Sequence, residues 1–481
     1  MTRALVIGSG PNGLAAAIVL AQAGLAVEVY EAEPEPGGAT RTLPLTLPGF
    51  LHDFGSAVHP LAAGSPFFQS LPLAEHGLEW LHGDAPLAHP LDDGSAVLLE
   101  RDLGDAQEAL GCDGLSWRRL VEPAVRNWGE FAADILGPVL RVPRHPIRMA
   151  RFGLAAVQPA QTLARNHFQG DRARALFAGL AAHSFLRLSQ PMSSAIGLVL
   201  GAAAHAVGWP IPRGGAGAIS KALAAHLARL GGHVHLSRRI GAKELRALRG
   251  ESLLTLCDTT PRGLIALAGD RLNPGYRRAL ERFQHGPGAF KVDFALSEPV
   301  PWRARECLRA ITVHLGGTME EIAASEDSVA RGQPPERPFV LAAQPSLFDP
   351  SRAPQGRHVL WAYCHVPNGS TVDMTARIEA QIERFAPGFR DCILARRSWS
   401  PAALEQMDCN LAGGDIAGGA LTLRQLLFRP TLSAYSTGAR NLFLCSASTP
   451  PGGGVHGMCG YHAAMRAFET WRRHVSDRAE T

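Results

Sequence analysis

The N-terminal stretch from Ala4 to Glu31 constrains the fold of this chain more than any other segment. A short apolar run leads into a turn of the form Gly8-x-Gly10-x-x-Gly13, and an Ala- and Leu-rich stretch over residues 14–23 follows. A second apolar run then ends on Glu31. A strand, a glycine-rich turn, a helix and a second strand make up the βαβ unit that binds dinucleotides. We therefore expect an α/β chain with a Rossmann-like domain.

The turn itself is the predicted pyrophosphate site. Its first glycine permits a tight turn, its second lets the backbone approach the phosphates, and its third lets the helix pack closely on the strand. The free N–H groups at the start of the helix then face the negative charge. The predicted contacts are Gly8, Gly10, Pro11, Asn12 and Gly13.

Features after the second strand favour a flavin over a plain nicotinamide cofactor. Glu31 follows Gly13 by 18 residues, close to the spacing at which a carboxylate accepts from ribose hydroxyls, and Ala32 lies beside it. The pair Gly37 and Gly38 then allows the chain to pass close to the cofactor. Arg41 follows at a distance that can reach phosphate oxygens.

Composition bounds the remaining function classes. A length of 481 residues exceeds one hydrophobic core, so at least two domains are expected. The formal net charge of +4 does not indicate a nucleic-acid partner. The eight cysteines form no CxxC pair, which indicates neither a metal site nor a redox dithiol and favours a reducing compartment. No apolar run of about 20 residues is present, so we expect a cytoplasmic protein without a membrane-spanning helix.

The rest of the chain divides into recognisable elements. Residues 105–205 are predicted to be largely helical, for example over 116–136 and 172–186, and residues 375–385 to form another helix. Alternating or apolar runs predict strands over 290–296 and 358–365. At the C-terminus, a strand over 441–445 leads into a glycine-rich loop and a helix over 461–473, which is a second place for an electron-rich ligand.

A basic segment lies within the helical region. Between residues 135 and 170 there is no acidic residue, while five arginines stand among apolar side chains. The pattern is typical of a solvated arginine face over a core, and it also suits peripheral docking on an anionic membrane. The arginines are Arg141, Arg144, Arg148, Arg151 and Arg165.

Taken together, the motifs resemble the phytoene desaturase-like branch of FAD-dependent oxidoreductases. The resemblance covers essentially the whole chain and is strongest to its phytoene-dehydrogenase-like members, whose substrates are poorly defined. It implies a Rossmann-like FAD-binding domain (1–60, 205–295 and 425–481) interleaved with a mixed α+β substrate domain (61–204 and 296–424). The matching stretches are Val6–Glu31, Gly37–Thr42, Phe50–Pro60, Trp209–Gly217 and Leu444–Gly460.

The same resemblance implies further site residues. FAD would lie extended, with Ile240 at the adenine position. Gly453, Gly454 and Val455 would face the pyrimidine edge of the isoalloxazine. Lys291 matches a strand lysine of amine oxidases that holds a water at flavin N5, and a solvent-facing or acid-paired lysine is the alternative.

Among the nineteen histidines, His456 is the leading acid–base candidate because it stands in the loop expected over the flavin. His52, His59 and His365 lie in other segments expected to approach the cofactor. Ala39 stands where well-known carotene desaturases have an arginine after the glycine pair, which argues against a long carotenoid substrate.

The predicted function is an FAD-dependent oxidoreductase that desaturates, saturates or isomerises C–C or C=C bonds of a lipophilic small molecule. Hydride transfer would take place at flavin N5. No second dinucleotide fingerprint is present, so O₂ or a quinone is the expected electron acceptor. A flavin amine oxidase-like enzyme and a non-catalytic FAD protein that acts through partners remain as alternatives.

Overall fold

The computed structural model describes residues 3–248 and 254–479, with side chains as far as Arg473. The strands of this part of the chain are β1 (Arg3–Ile7), β2 (Ala26–Tyr30), β3 (Thr42–Leu43), β4 (His52–Asp53), β5 (Trp80–Leu81), β6 (Ala85–Pro90), β7 (Ala96–Leu99), β8 (Ile211–Pro212), β9 (His233–His235), β10 (Leu254–Cys257), β11 (Gly288–Leu296), β12 (Ala310–Leu315), β13 (Val340–Ala343), β14 (His358–Val366), β15 (Ile393–Trp399) and β16 (Leu442–Leu444).

The α-helices of the same residues are α1 (Pro11–Gln22), α2 (Pro60–Ala63), α3 (Pro66–Gln69), α4 (Leu103–Ala109), α5 (Gly114–Val125), α6 (Trp128–Ile135), α7 (Pro146–Ala156), α8 (Ala160–His167), α9 (Asp171–Ala182), α10 (Ser193–Ala206), α11 (Gly217–Arg229), α12 (Ala242–Leu248), α13 (Pro261–Ala268), α14 (Pro274–Glu281), α15 (Met319–Ala330), α16 (Thr375–Phe385), α17 (Pro401–Met407), α18 (Leu423–Leu427) and α19 (Met458–Ala479). No helix among them is long and apolar enough to cross a bilayer.

The smaller sheet is parallel and has the strand order β16-β10-β1-β2-β9. The side chains of β1 alternate between two buried layers, since Ala4 and Val6 pack towards α1 while Leu5 and Ile7 pack with residues of α12, α13 and α14. A strand buried on both faces is what the continuous apolar run predicts. The predicted Rossmann-like unit and α/β class are confirmed.

Helix α1 begins at Pro11, three residues before its predicted start. Gly10 is the N-cap in an extended conformation, and a proline is favourable at the first helical position because its missing N–H needs no partner there. Residues 12–20 of α1 are buried, because the helix is enclosed by the sheet, α11 and α19. The first and last segments of the chain therefore pack against each other.

The larger sheet is mixed and has the order β15-β11-β14-β13-β12-β6-β7, with β6 and β12 as its parallel pair. One of its faces packs against α16, which spans the predicted residues 375–385. The other face points into the main core, which includes the helical layer from α5 to α10. The helix predicted over 116–136 is instead two helices, because Asn127 adopts a non-helical conformation as the N-cap of α6.

The strands of the smaller sheet come from the three segments predicted for the FAD-binding domain. Strand β11, which was included with them up to residue 295, pairs with β14 and β15 of the larger sheet. The division into domains itself stays a prediction.

A buried ion pair joins the paired strands β3 and β4 to the loop before β14. The Arg352 guanidinium lies 2.8 Å from the Asp53 carboxylate, and both side chains are fully buried. Asp53 also accepts from the Thr42 hydroxyl at 2.8 Å and from the backbone N–H of Ala216 at 2.7 Å. Arg352 in turn donates to the carbonyl of Leu51. One carboxylate thus connects β3, β4, the start of α11 and the loop before β14.

Replacing Arg352 with Met should destabilise the protein by about 3–5 kcal/mol, because it leaves the Asp53 charge buried without its partner. Urea unfolding followed by circular dichroism measures this loss. The double variant D53N/R352M should regain part of it, since it leaves no buried charge. The control is Arg213→Met in the exposed pair with Glu79, which should have little effect. Equal losses of unfolding free energy in R352M and R213M would contradict the conclusion that the buried ion pair stabilises the fold.

Candidate cofactor and active site

The glycine turn before α1 has the close contacts that the sequence predicts. Gly8 has a φ of +96°, and its N–H donates to the carbonyl of Tyr30 at 2.8 Å. A Cβ on Gly13 would lie 2.2 Å from the carbonyl oxygen of Gly8, so no larger residue fits there. A Cβ on Gly10 would lie 2.7 Å from a carboxylate oxygen of Asp258. The glycines therefore leave the turn without side chains of its own where it meets the helix N-terminus, and the Asp258 carboxylate lies against it.

Glu31 lies at the end of β2, beside this turn, and is buried. One of its carboxylate oxygens accepts from the N–H and the hydroxyl of Ser9, at 2.8 and 2.6 Å, and the other accepts from the N–H of Glu33. The backbone of Glu31 bonds to His235 and Arg238, which places the chain leading to Ile240 next to it. These contacts fix the carboxylate at the edge where the predicted ribose would lie.

The second glycine pair runs alongside the first turn. Gly37 and Gly38 have φ values of +130° and +56°, and a Cβ on Gly38 would lie 3.6 Å from the Cα of Gly10. Arg41 is buried, and it donates to the carbonyls of Gly38 and Met407 and to the carboxylate of Glu33. Three of its five N–H groups are thus bonded to protein, so Arg41 braces this loop. The predicted contact of Arg41 with a phosphate stays a prediction. It would use the two remaining N–H groups of the guanidinium.

Two acids near the turn were not singled out from the sequence. Asp258 follows β10, and its carboxylate accepts from the N–H of Gly13 at 2.8 Å. Burial raises the pKa of Asp258 to about 7, with Asp408 and Glu31 adding to the shift. Burial also raises the pKa of Asp408, which lies close to Gly38. Asp258 is therefore neutral over part of the physiological pH range. Asp258 and its partner Gly13 are 245 residues apart in the sequence, so no local pattern connects them.

The C-terminal glycine loop lies against the same end of α1. A Cβ on Gly460 would be 1.8 Å from the carbonyl oxygen of Asn12, so backbone meets backbone there. Gly453 and Gly454 are exposed, in contrast to the buried residues that follow Val455. The loop thus offers open backbone at the three positions predicted to face the isoalloxazine.

His456 lies below this loop rather than facing outward. Its ring is buried, and its Nδ1 accepts from the N–H of Met458 at 3.0 Å. Burial lowers the pKa of His456 to about 4, although hydrogen bonds to the backbone of Gly453 and Gly452 act to raise it. Such a neutral ring holds the loop in shape. Its predicted catalytic role stays a prediction that this geometry does not favour.

Lys291 is buried in β11, as the active-site prediction requires, but it is also paired with an acid. Its ammonium group contacts the carboxylate of Asp293, two residues along the same strand face. Trp399 donates to the same carboxylate oxygen at 2.9 Å. Burial lowers the pKa of Lys291 and raises that of Asp293, so each group is shifted towards its neutral form. The prediction that Lys291 acts at the flavin remains open.

One cross-strand row of the larger sheet faces the helical layer. Strand register places Trp399, Lys291, Tyr363, Leu341 and His314 side by side over five strands. Alternation puts Trp361 and His365 on the same face. This face is mainly aromatic and apolar, with a few buried titratable groups.

His365 forms a buried dyad with Glu326 of α15. The Nδ1 atom of His365 lies 2.9 Å from both carboxylate oxygens, and both side chains are buried. The Nε2 atom is buried without a hydrogen-bond partner. The ring of Phe185 lies against it, with a centroid separation of 4.0 Å and a φ of 59° at Phe185. Such strained backbone recurs at functional sites.

The other two histidines singled out from the sequence are also buried. His52 bonds to the Thr46 hydroxyl through Nε2 and lies 3.7 Å from Asp293, and burial lowers its pKa to about 3. Both ring nitrogens of His59 lack a partner, and burial lowers its pKa to about 4. Both rings are therefore neutral at pH 7.

The residues around α1 fit a bound dinucleotide. The backbone of Gly10 lies against the Asp258 carboxylate at the helix start, and the buried Oδ1 atom of Asn12 is an acceptor without a partner. Glu31 is held at the adjoining strand end, and Gly457 and Gly460, which follow the exposed glycines 453 and 454, lie against the same helix. The two chain ends that carry the sequence-predicted cofactor residues therefore come together.

Comparison with known proteins gives a matching result. The sequence profile of the NAD(P)-binding Rossmann-like domain matches residues 6–70. Pyridine nucleotide-disulfide oxidoreductase domain-containing protein 2 of Rattus norvegicus is 25% identical over 97% of this chain and 93% of its own. The lycopene-forming phytoene desaturase of Pseudescherichia vulneris is 25% identical over 95% of this chain and 97% of its own. Wild-type putrescine oxidase bound to putrescine has a TM-score of 0.60 and 17% identity, with 98% of each chain covered, which is a likeness of fold.

Replacing Asp258 with Asn should raise the melting temperature at pH 8 but not at pH 4. The folded-state pKa of about 7 lies above the ordinary aspartate value of 3.8, so the cost of a buried charge is absent below about pH 4, grows up to about pH 7 and then stays constant. Asn keeps an acceptor for the N–H of Gly13. Differential scanning calorimetry across this range measures the change, with the exposed Asp84→Asn as control. A gain of equal size at both pH values would refute the assignment.

Proposed function

We propose, from the premise that this chain is an oxidoreductase related at low identity to the phytoene desaturases, that it uses FAD to act on C–C or C=C bonds of a lipophilic small molecule. The reaction would be a desaturation, a saturation or an isomerisation. The observation that carries the proposal is the face of the larger sheet that is turned towards the helical layer. On this face the aromatic side chains of Trp361, Tyr363 and Trp399 lie near His365, whose Nε2 atom has no hydrogen-bond partner. A match over the full length of a phytoene desaturase supports it.

The chain's own residues would hold FAD through two glycine loops. The pyrophosphate would lie at the start of α1, over Gly10 and Gly13, where the positive end of the helix dipole favours an anion, although the N–H of Gly13 already donates to Asp258. Glu31 would accept from the ribose, and Gly453, Gly454 and Val455 would border the ring system. When bound, FAD supplies hydride transfer.

His365 is the best-placed group to handle the proton of such a reaction. In a desaturation, one carbon loses a hydride, and the proton on the neighbouring carbon must go to a base as the double bond forms. The bond from Nδ1–H to Glu326 leaves a lone pair on Nε2, which would accept that proton. The Glu326 carboxylate would then stabilise the imidazolium and hold the ring in place.

O₂ or a quinone remains the proposed electron acceptor. Lys291 would affect this step if its ammonium group lies beside the ring, because a buried cation stabilises negative charge that develops near it. Its bond to Asp293 would keep it in position.

The amine oxidase alternative is less well supported. The likeness to putrescine oxidase concerns the fold, and a tyrosine of an amine-binding aromatic pair would need a free ring face near the flavin. The Tyr435 hydroxyl instead donates to the carbonyl of Pro450, and the ring is buried. Tyr461 packs against Phe67.

Replacing Gly10 with Ala should abolish FAD retention while the protein stays folded. The new Cβ would lie 2.7 Å from Asp258 and would occupy the space through which the pyrophosphate approaches. Released FAD, measured by absorbance after denaturation, should fall from about one per chain to near zero. The matched control is Gly153→Ala in α7, where a Cβ meets no atom within 4 Å. Full retention in the Gly10 variant would disprove the proposed pyrophosphate site.

The substrate class is tested by anaerobic reduction of the flavin. Isoprenoid or acyl lipids should bleach the flavin absorbance, whereas primary amines and NADPH should not. Bleaching by an amine would establish the oxidase alternative, and bleaching by NADPH would refute a quinone or O₂ enzyme without a nicotinamide site. A flavin that no compound reduces would favour the non-catalytic alternative.

The same assay tests the base. H365Q and E326Q should each slow flavin reduction by about 10²–10⁴-fold, as expected for loss of a general base or its orienting partner. FAD content and melting temperature should change little. His89→Gln, in β6 of the same sheet, is the control and should reduce the flavin at the unchanged rate. An unchanged rate of flavin reduction in H365Q would exclude this role.

A further inference from the structure

The segment between α6 and the end of α7 exposes an unusual number of apolar side chains. Val142 is 82% exposed, Ile147 74% and Leu154 72%, and Leu140 and Val157 are at least half exposed. A contiguous group of exposed apolar side chains on a protein surface usually marks an interaction site. The exposure is therefore a feature to explain.

Helix α7 is apolar on two opposite faces. Its inner face packs through Phe152, whose ring meets that of Phe131 edge-on at 5.0 Å. Its outer face presents Ile147, Arg151 and Leu154, at spacings of four and three residues that bring them to one side. A helix at a protein surface normally turns polar residues outward. The outer face of α7 departs from this pattern.

A groove continues the apolar surface towards the C-terminus of the chain. It has a volume of about 460 Å³ and lies between the loop 138–141, the segment 427–435 and the α19 residues 462–469. Leu140 and Leu432 belong to its lining, and Leu432 is 76% exposed. Met465 contributes another exposed apolar side chain. We call the exposed apolar residues of 139–142, the outer face of α7 and Leu432 the docking surface.

Positive charge is interleaved with these apolar residues. Arg144, Arg151 and Arg466 are exposed and form no ion pair with the described acids, and no acidic residue occurs between 135 and 170. Arg148 is paired with Glu130, and Arg141 lies 3.7 Å from Asp134. Glu469 also lines the groove, among Arg141, Arg429 and Arg466. The net charge of the surface is positive.

We propose that this docking surface inserts into the interface of a lipid bilayer that carries anionic headgroups. Apolar side chains mixed with arginines on a helix and an adjacent loop are what interfacial binding requires, since the former enter the acyl boundary and the latter meet the headgroups. A second copy of the chain fits less well. A two-fold contact through this surface would bring unpaired arginines of one copy against those of the other, which is repulsive.

Flotation of the full-length protein with vesicles tests the proposal. Vesicles of phosphatidylcholine with phosphatidylglycerol should carry the protein upward, vesicles of phosphatidylcholine alone should carry much less, and added salt should weaken the binding. The double variant V142E/I147E should lose binding to both kinds of vesicle. R144Q/R151Q should lose roughly fivefold in partition for each arginine removed and should show a weaker salt dependence.

The controls separate docking from folding. Leu394→Glu changes a residue that is 46% exposed on β15 and should bind vesicles like the unchanged protein. All variants should keep their melting temperature. Absence of flotation with either vesicle, or wild-type flotation of V142E/I147E, would overturn the proposal. So would a concentration-dependent dimer in sedimentation velocity that V142E/I147E dissolves, because the surface would then be covered by a second copy.

Discussion

The structure depends on two places where the start of α1 touches backbone without a side chain between. Gly13 lies against the carbonyl of Gly8, and Gly460 lies against the carbonyl of Asn12. The first contact sets the angle between β1 and α1, and the second brings α19 and its glycine loop onto the same helix. Any Cβ at either position would overlap a backbone oxygen, which cannot move away as a flexible side chain could. The shape of the candidate cofactor site follows from these two contacts.

Buried titratable groups lie between the paired strands β3 and β4 and the larger sheet. Asp53 and Arg352 form a fully buried ion pair in which one guanidinium nitrogen, Nη1, has no hydrogen-bond partner. His52 of the same strand, β4, lies 3.7 Å from Asp293 in the larger sheet. Opposite charges in a low-dielectric region stabilise only when geometry and additional hydrogen bonds offset the cost of desolvation. Such a network tolerates one arrangement of its elements, so it fixes the orientation of the large sheet relative to the glycine turns more narrowly than apolar packing would.

The parts of the fold that the sequence predicted well are those set by local pattern. The βαβ unit, helix 375–385 and strand β14 follow from periodicity and turn residues within a short window. The break at Asn127 was missed because the helical pattern continues across it, and the sheet membership of β11 was not predictable because strand pairing is non-local. The same reason hid Asp258, whose partner Gly13 lies 245 residues away. His365 was singled out from the sequence, but its partner Glu326 stands on a helix that no motif connects to it.

The aromatic face of the larger sheet carries two carboxylate-bonded groups, and their geometry distinguishes what each can do. In the first, Lys291 and Trp399 both donate to one carboxylate oxygen of Asp293, and the other oxygen lies 3.7 Å from His52 without a hydrogen bond. In the second, both oxygens of Glu326 face one nitrogen of His365, and the other nitrogen has no partner. In the proposed reaction the proton step would fall to His365, because the lone pair on its Nε2 atom has no partner. Lys291, whose ammonium group is bonded to Asp293, would influence charge near the reacting atoms rather than carry the proton.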